Sequence, residues 1–309
     1  MLDRIDGLHH ITSLARDAAA NNAFFTGLLG LRRVKKTVNF DAPDVYHVYY
    51  GDAVGSPGTV MTYFPFPRAG RGTRGAGEAG RVSFSVPAGS LDAWQRRLSE
   101  AGVAGLRRGE SFGAETLDFE GPDGEALALV EEEDARAPWR EGPVSGEIAI
   151  RGFHATRLVL REAEGIEALL RFMGFAEDGR EGAVSRHALP GGGPGRIVEI
   201  ETRPDAPPAR QGAGSVHHVA FSVADRAAQA AVRDALVAEG YDITPPIDRD
   251  YFWAVYFRAP GGVLFEVATA EPGFDRDEDV AHLGEALKLP AQHEHLRPAL
   301  ERHLAPVDP

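Results

Sequence analysis

Two adjacent histidine pairs, His9-His10 and His217-His218, and one glutamate inside an apolar run, Glu266, are the residues whose types could do chemistry together. Both pairs sit just inside β-branched or alternating apolar stretches, Leu8-His9-His10-Ile11-Thr12 and Val216-His217-His218-Val219-Ala220-Phe221, which read as first strands of a repeated unit. Successive strand residues face opposite ways, so one imidazole of each pair is expected on each face of its sheet. Glu266 lies in Gly261-Gly262-Val263-Leu264-Phe265-Glu266-Val267, where an unpaired charge is expensive. Two imidazoles and a carboxylate on neighbouring strands are the parts of a facial metal triad, an arrangement that suits non-haem Fe(II). One histidine of each pair and Glu266 are the expected ligands.

Repeated elements position these residues. Gly30-Leu31, Gly102-Val103, Gly174-Phe175 and Gly240-Tyr241 recur at spacings of 72, 72 and 66 residues, each suited to the left-handed position just past a helix. The preceding segments carry helical periodicity, with Asp17, Ser90 and Asp225 as candidate caps. Short β-rich runs follow each helix, such as Val45–Tyr50 and Phe252–Phe257. The chain therefore reads as four strand–helix–three-strand units: an α+β fold of four βαβββ modules forming two barrel-like halves. The first pair of modules is assigned to 1–133, the second to 148–270, and a tail with short helices near Val280–Leu287 and Arg297–Leu304 to 271–309. Residues 134–147 read as a charged linker, Glu131–Glu133 as a frayed strand end, and the Gly/Arg-rich stretch Arg68–Gly80 as a mobile loop.

Aligning the modules shows which copies could bind metal. The second has Arg81 where the fourth has His218, and Ala128 where the fourth has Glu266. The first has Thr62 at the glutamate position and the third has Glu199. In the third, Gly152-Phe153-His154 matches Gly7-Leu8-His9, which leaves Ala155 at the ligand position; a one-residue slip would make His154 a rival to His10. His47, His187, His282, His293, His295 and His303 read as ordinary core or surface histidines. On spacing alone Arg249 belongs to a charged loop and Tyr256 is a strand aromatic.

Composition excludes several classes. The chain has 309 residues, 43% hydrophobic and 26% charged, as for a soluble globular protein. A formal net charge of -13 argues against nucleic acid or an anionic membrane as partner. With no cysteine, disulfides, zinc–thiolate sites, iron–sulfur clusters and a thiol nucleophile are ruled out. No apolar leader or membrane span is visible, so a cytoplasmic protein is expected, and assembly of identical subunits with it.

The four-module pattern resembles the vicinal oxygen chelate superfamily of glyoxalases and extradiol dioxygenases. Within it, Gly7–Thr12, Val34–Asp41, Tyr46–Asp52, Gly55–Thr62 and the tail segment Gly284–Pro290 are similar to the ring-cleaving dioxygenases that act on hydroquinones. That resemblance implies iron on His10, His218 and Glu266, with Mn(II) or another divalent metal as an alternative. It also implies a substrate pocket lined by His9, Thr12, His217, Arg249 and Tyr256. The implied partners are a small aromatic substrate and O2. The competing expectations are a catechol extradiol dioxygenase, a glyoxalase-like metal-dependent lyase or isomerase, and a metal-free drug-sequestering binding protein.

Overall fold

The structure is a computed structural model that describes residues 2–308. The first module runs β1 (Gly7–Ala15), α1 (Ala18–Asn22, continuing as a π-helix over Ala23–Leu28), β2 (Arg32–Asn39), β3 (Ala42–Gly51) and β4 (Val60–Pro65). The second comprises β5 (Glu78–Val86), α2 (Leu91–Glu100), β6 (Arg107–Ser111), β7 (Ala114–Glu120) and β8 (Ala126–Glu131). The third holds β9 (Gly152–Leu160), α3 (Glu164–Phe172), β10 (Ala176–Glu181), β11 (Val184–Ala188) and β12 (Ile197–Thr202). The fourth has β13 (Val216–Val223), α4 (Arg226–Ala238), β14 (Ile247–Asp248), β15 (Phe252–Arg258) and β16 (Leu264–Pro272). All four glycines read as helix stops have positive φ, between 70° and 98°. At Gly30 a side chain would also strike Val144, since an added Cβ would lie 2.6 Å from Val144 Cγ2.

Two eight-stranded sheets result, ordered β14-β15-β16-β13-β1-β4-β3-β2 and β10-β11-β12-β9-β5-β8-β7-β6. Each curls into a half-barrel, so the expected α+β fold of four βαβββ modules is observed. The sheets do not follow the division of the chain at 133 and 148. The first module joins the fourth through antiparallel β1–β13, and the second joins the third through β5–β9. Segments 1–133 and 148–270 each contribute one module to each sheet, because β1 finds its free edge satisfied by β13 rather than by β5. The largest apolar core cluster spans both sheets; Phe24 packs on Phe119 at 6.4 Å and Phe175 on Phe221 at 5.9 Å.

Local chemistry explains the helix starts. Asp17 and Asp225 accept from Ala20 N–H (2.9 Å) and Ala228 N–H (2.8 Å), as expected. Ser90 does not cap: its hydroxyl makes no hydrogen bond among the described residues, and Glu131 accepts from Leu91 N–H at 2.9 Å instead. The strand ends at Glu131, as expected, but this end is engaged rather than loose. Its neighbour Glu132 reaches His154 Nε2 at 2.6 Å. The 68–80 stretch is not free either. It pairs with 207–213, with Thr73 and Arg210 exchanging backbone hydrogen bonds of 2.9 Å. Within 134–147, Arg136 inserts between modules and donates to Gly58 O (2.8 Å) and Phe153 O (2.6 Å). The tail forms a short 3-10 turn at Val280–His282, where a longer helix was expected, and α5 at Arg297–His303.

Candidate metal centre and cavity

The β1–β13 pairing builds the site. Its register skips a residue at His9 in β1 and at His217 in β13, so each first histidine is the extra residue of a bulge. The β5–β9 pair skips Gly80 and His154 in the same way. A bulge re-aims its side chain. The strict face alternation expected for the pairs is therefore lost, and the two rings of each pair meet. His9 Nδ1 lies 2.9 Å from His10 Nδ1, and His217 Nδ1 lies 2.7 Å from His218 Nδ1.

The outer nitrogens converge. His10 Nε2 and His218 Nε2 are 3.2 Å apart, and Glu266 Oε2 approaches them at 3.3 and 2.9 Å. Tyr256 lies opposite Glu266 across β15–β16, while Ala220 lies opposite it on the other side. Neither Glu266 oxygen has a hydrogen-bond partner among the described residues, although the carboxylate is fully buried. A buried carboxylate left that way is costly unless a cation shares it. Burial pushes its carboxyl up, and only positive charge, on His10 and His218 or on a cation between them, brings it below the usual carboxylate range.

The hydrogen-bond network assigns tautomers that fit a cation. With Nε2 of His10 left as a free lone pair, its Nδ1–H donates to His9 Nδ1. His9 Nε2–H then donates to Thr269 O at 3.1 Å, and every ring nitrogen is accounted for. Burial, then His10, brings the His9 pKa down to about 3, so it stays the neutral acceptor this chain requires. On the other side His218 Nδ1–H donates to His217 Nδ1. His217, lowered to about 4 by burial and His218, faces the cavity with its Nε2–H. Two imidazoles and a carboxylate fit a divalent metal of intermediate hardness.

A cavity of about 550 Å³ opens above this cluster. His10, His218, His217, Arg249 and Tyr256 line it. Arg249 Nε donates to Tyr256 OH at 3.1 Å, and its Nη2 lies 3.1 Å from Asp41. Burial favours a neutral Arg249, yet Tyr256 and Asp41 outweigh it and keep the guanidinium charged. Burial raises the Tyr256 phenol above its ordinary value. The remaining wall is mainly apolar, including Phe40, Phe64, Phe66 and Phe252.

The profile of the Glyoxalase/Bleomycin resistance protein/Dioxygenase superfamily matches residues 7–129 and 160–267. The candidate ring-cleaving dioxygenase MhqO of Bacillus subtilis is 38% identical over 310 residues, spanning 100% of this chain and 98% of that protein. The chain belongs to this superfamily, and within it to the family of ring-cleaving dioxygenases. The chlorohydroquinone/hydroquinone 1,2-dioxygenase of Sphingobium indicum is 38% identical over 309 residues, covering 97% and 96% of the two chains. A crystal structure of a candidate dioxygenase from Bacillus subtilis superposes with a TM-score of 0.94 at 38% identity, over 98% of this chain and 97% of that one. Glyoxalase I from Zea mays shares the fold, with a TM-score of 0.63 at 14% identity over 85% and 92%.

Several residues stand apart from their expected places. His9 and Thr12 are buried behind the cavity wall: His9 supports His10, and Thr12 Oγ1 bonds Thr62 Oγ1 at 2.8 Å. His154 lies in the other sheet, in the bulge position of His9, and Ala155 stands where His10 does. Glu199 is buried between Arg157 (2.7 Å) and Arg186 (2.9 Å), so guanidinium groups neutralise it. His47, read as an ordinary histidine, lines the cavity together with Tyr49. Its signal lay in Tyr46-His47-Val48-Tyr49, where His47 and Tyr49 share one strand face.

Proposed function

We propose that this chain is an Fe(II)-dependent dioxygenase that opens a hydroquinone-type ring with O2. The convergence of His10, His218 and Glu266 at the base of an aromatic-walled cavity carries this reading. The activity printed for the Sphingobium indicum relative supports it. His10, His218 and Glu266 would hold the metal; bound there, Fe(II) would bring O2 and an electron-rich ring together and let electrons pass between them. Mn(II) suits the same ligands.

The protein groups supply placement and proton handling. Arg249, fixed by Asp41 and Tyr256, holds a phenolic oxygen with charge-assisted donors. His217, neutral and held at Nδ1, presents Nε2 to the cavity and can exchange a proton with a substrate hydroxyl or with water. Tyr256 donates to or accepts from the same oxygen. The phenylalanine walls exclude water and hold a flat ring in one plane. His9 and Thr12 act from behind: one orients His10, the other is bonded to the strand that faces Glu266 across the site. Both oxygen atoms enter the product. One ring C–C bond breaks, leaving a carboxylic acid at the hydroxyl-bearing carbon and an aldehyde at its neighbour.

The test is an oxygen-electrode trace with hydroquinone on Fe(II)-reconstituted protein, with Zn(II)-loaded protein beside it. Uptake should occur with iron and fail with zinc, which has no redox chemistry. Equal turnover of an aldehyde–thiol adduct with zinc would point to a lyase, and uptake with catechol alone would point to a vicinal diol as substrate.

A further inference from the structure

The approximate twofold that exchanges β1 with β13 also exchanges residues of the site. Thr12 lies opposite Thr62 as Ala220 lies opposite Glu266, so Thr62 is the counterpart of the glutamate ligand. Tyr49 lies opposite Thr62 as Tyr256 lies opposite Glu266, so the two tyrosines are counterparts, and both line the cavity. Tyr256 belongs with the metal ligands, its ring 5.8 Å from that of His218. Tyr49 stands in the half that has no ligand carboxylate.

Tyr49 is not a loose aromatic. Its hydroxyl lies 2.7 Å from His47 Nδ1, and His47 Nε2 lies 2.8 Å from Thr62 Oγ1. Thr62 in turn bonds Thr12 at 2.8 Å, so the chain is anchored on β1. The His47 ring is clamped between Tyr49 and Phe64, at centroid distances of 4.0 and 4.2 Å. Both His47 and Tyr49 are almost fully buried and line the cavity. Once the Tyr49 hydroxyl has engaged His47, it keeps one further hydrogen-bonding capacity, with no partner among the described residues. Phe64 packs on His47, and Phe40, Phe66 and Leu14 also line the cavity. The Tyr49 hydroxyl is thus a polar group lining the cavity that stands outside the His10, His218 and Glu266 cluster.

We propose that the Tyr49 hydroxyl binds the second hydroxyl of a para-diol, and that His47 is the residue that positions it. The inference rests on the hydroquinone reading above. A ring whose first hydroxyl sits at the metal ligands carries its para oxygen at the far end of the ring, within the same cavity. A vicinal diol keeps both oxygens at one end and leaves Tyr49 unmatched. An unpartnered buried hydroxyl is disfavoured on either molecule, which turns one hydrogen bond into discrimination. Thr62 and Thr12 fix the His47 ring, so the tyrosine oxygen is aimed before substrate arrives.

The experiment compares hydroquinone with phenol, which lacks only the para hydroxyl. Dissociation constants are measured anaerobically on Zn(II)-loaded protein, and oxygen uptake with hydroquinone on Fe(II)-loaded protein. Wild type should bind hydroquinone roughly 10- to 100-fold more tightly than phenol. Tyr49→Phe should bring that ratio near one by weakening hydroquinone, with phenol affinity and zinc content unchanged. His47→Phe, which keeps an aromatic ring against Phe64, should do the same through Tyr49, whereas a merely structural role would weaken both ligands together. Oxygen uptake by wild type with the ratio intact in Tyr49→Phe would overturn this inference alone. Absence of uptake by iron-loaded wild type would overturn the hydroquinone reading and this inference with it.

Discussion

His154 occupies the bulge in β9 that His9 occupies in β1, but the next residue along differs: Ala155 in β9, the proposed ligand His10 in β1. His154 instead meets Glu132 and Ser83 within the second sheet. His10→Ala should therefore strip the metal, weakening it by more than the roughly 10–100-fold that losing a supporting partner costs. His154→Ala should keep it. Metal content after gel filtration distinguishes the two, and metal loss from His154→Ala alone would overturn the ligand assignment. A second residue-scale expectation concerns Glu125, which is buried with Oε2 accepting from Asp123 N–H at 3.0 Å. Burial raises its pKa from 4.5 to about 7. The folded state thus holds this proton more tightly than the unfolded chain does. Its contribution is full below about pH 4.5 and is lost as pH rises through 7. Glu125→Gln should remove about 3 kcal/mol of that pH dependence, read from urea midpoints of variant and wild type between pH 4.5 and 8. The paired histidines were legible because two copies agreed. His47 was not, since a single histidine in a strand carries no such internal repeat, and only its contact with the cavity distinguishes it.

Among elements, the four glycine-stopped helices could be read directly, because a left-handed residue past a helix end has one strongly preferred type. The bulges could not. A bulge is a mismatch between two strands, and nothing within Leu8–Thr12 alone shows that β13 will skip a residue opposite it. The cap of α2 was hidden for a similar reason, since Glu131 comes from a strand forty residues away. The tail is held to β2 by a buried ion pair: Lys35 Nζ lies 2.6 Å from Asp277 and 2.5 Å from Glu278, with the lysine side chain wholly inaccessible. Lys35→Met should leave Glu278 buried without its cation and destabilise the protein by about 3–5 kcal/mol. Urea unfolding measures this, and faster proteolytic clipping within 277–290 should accompany it.

On the scale of the molecule, the modules were visible but their partners were not. Four equivalent units can be joined in several ways, and local pattern is the same in each. The outcome couples distant segments: His10 belongs to 1–133, while His218 and Glu266 belong to 148–309. Either fragment produced alone should bind no metal and lack the cooperative unfolding of the whole. Co-expressed fragments should recover both, as seen by metal content and by one shared thermal transition. A fragment that folds and binds metal by itself would contradict the pairing.

The long reach between β1 and β13 also sets a clock. His10 and His218 are 208 positions apart, so at ordinary translation speeds on the order of 10–40 s pass between their synthesis. Throughout that interval the nascent chain exposes one unpaired edge of its first strand and owns only one of the three clustered side chains. Glu266 emerges later still, 48 positions after His218. An unfinished or prematurely released polypeptide thus lacks the three-residue cluster, which forms only once the first and the fourth modules have both been made.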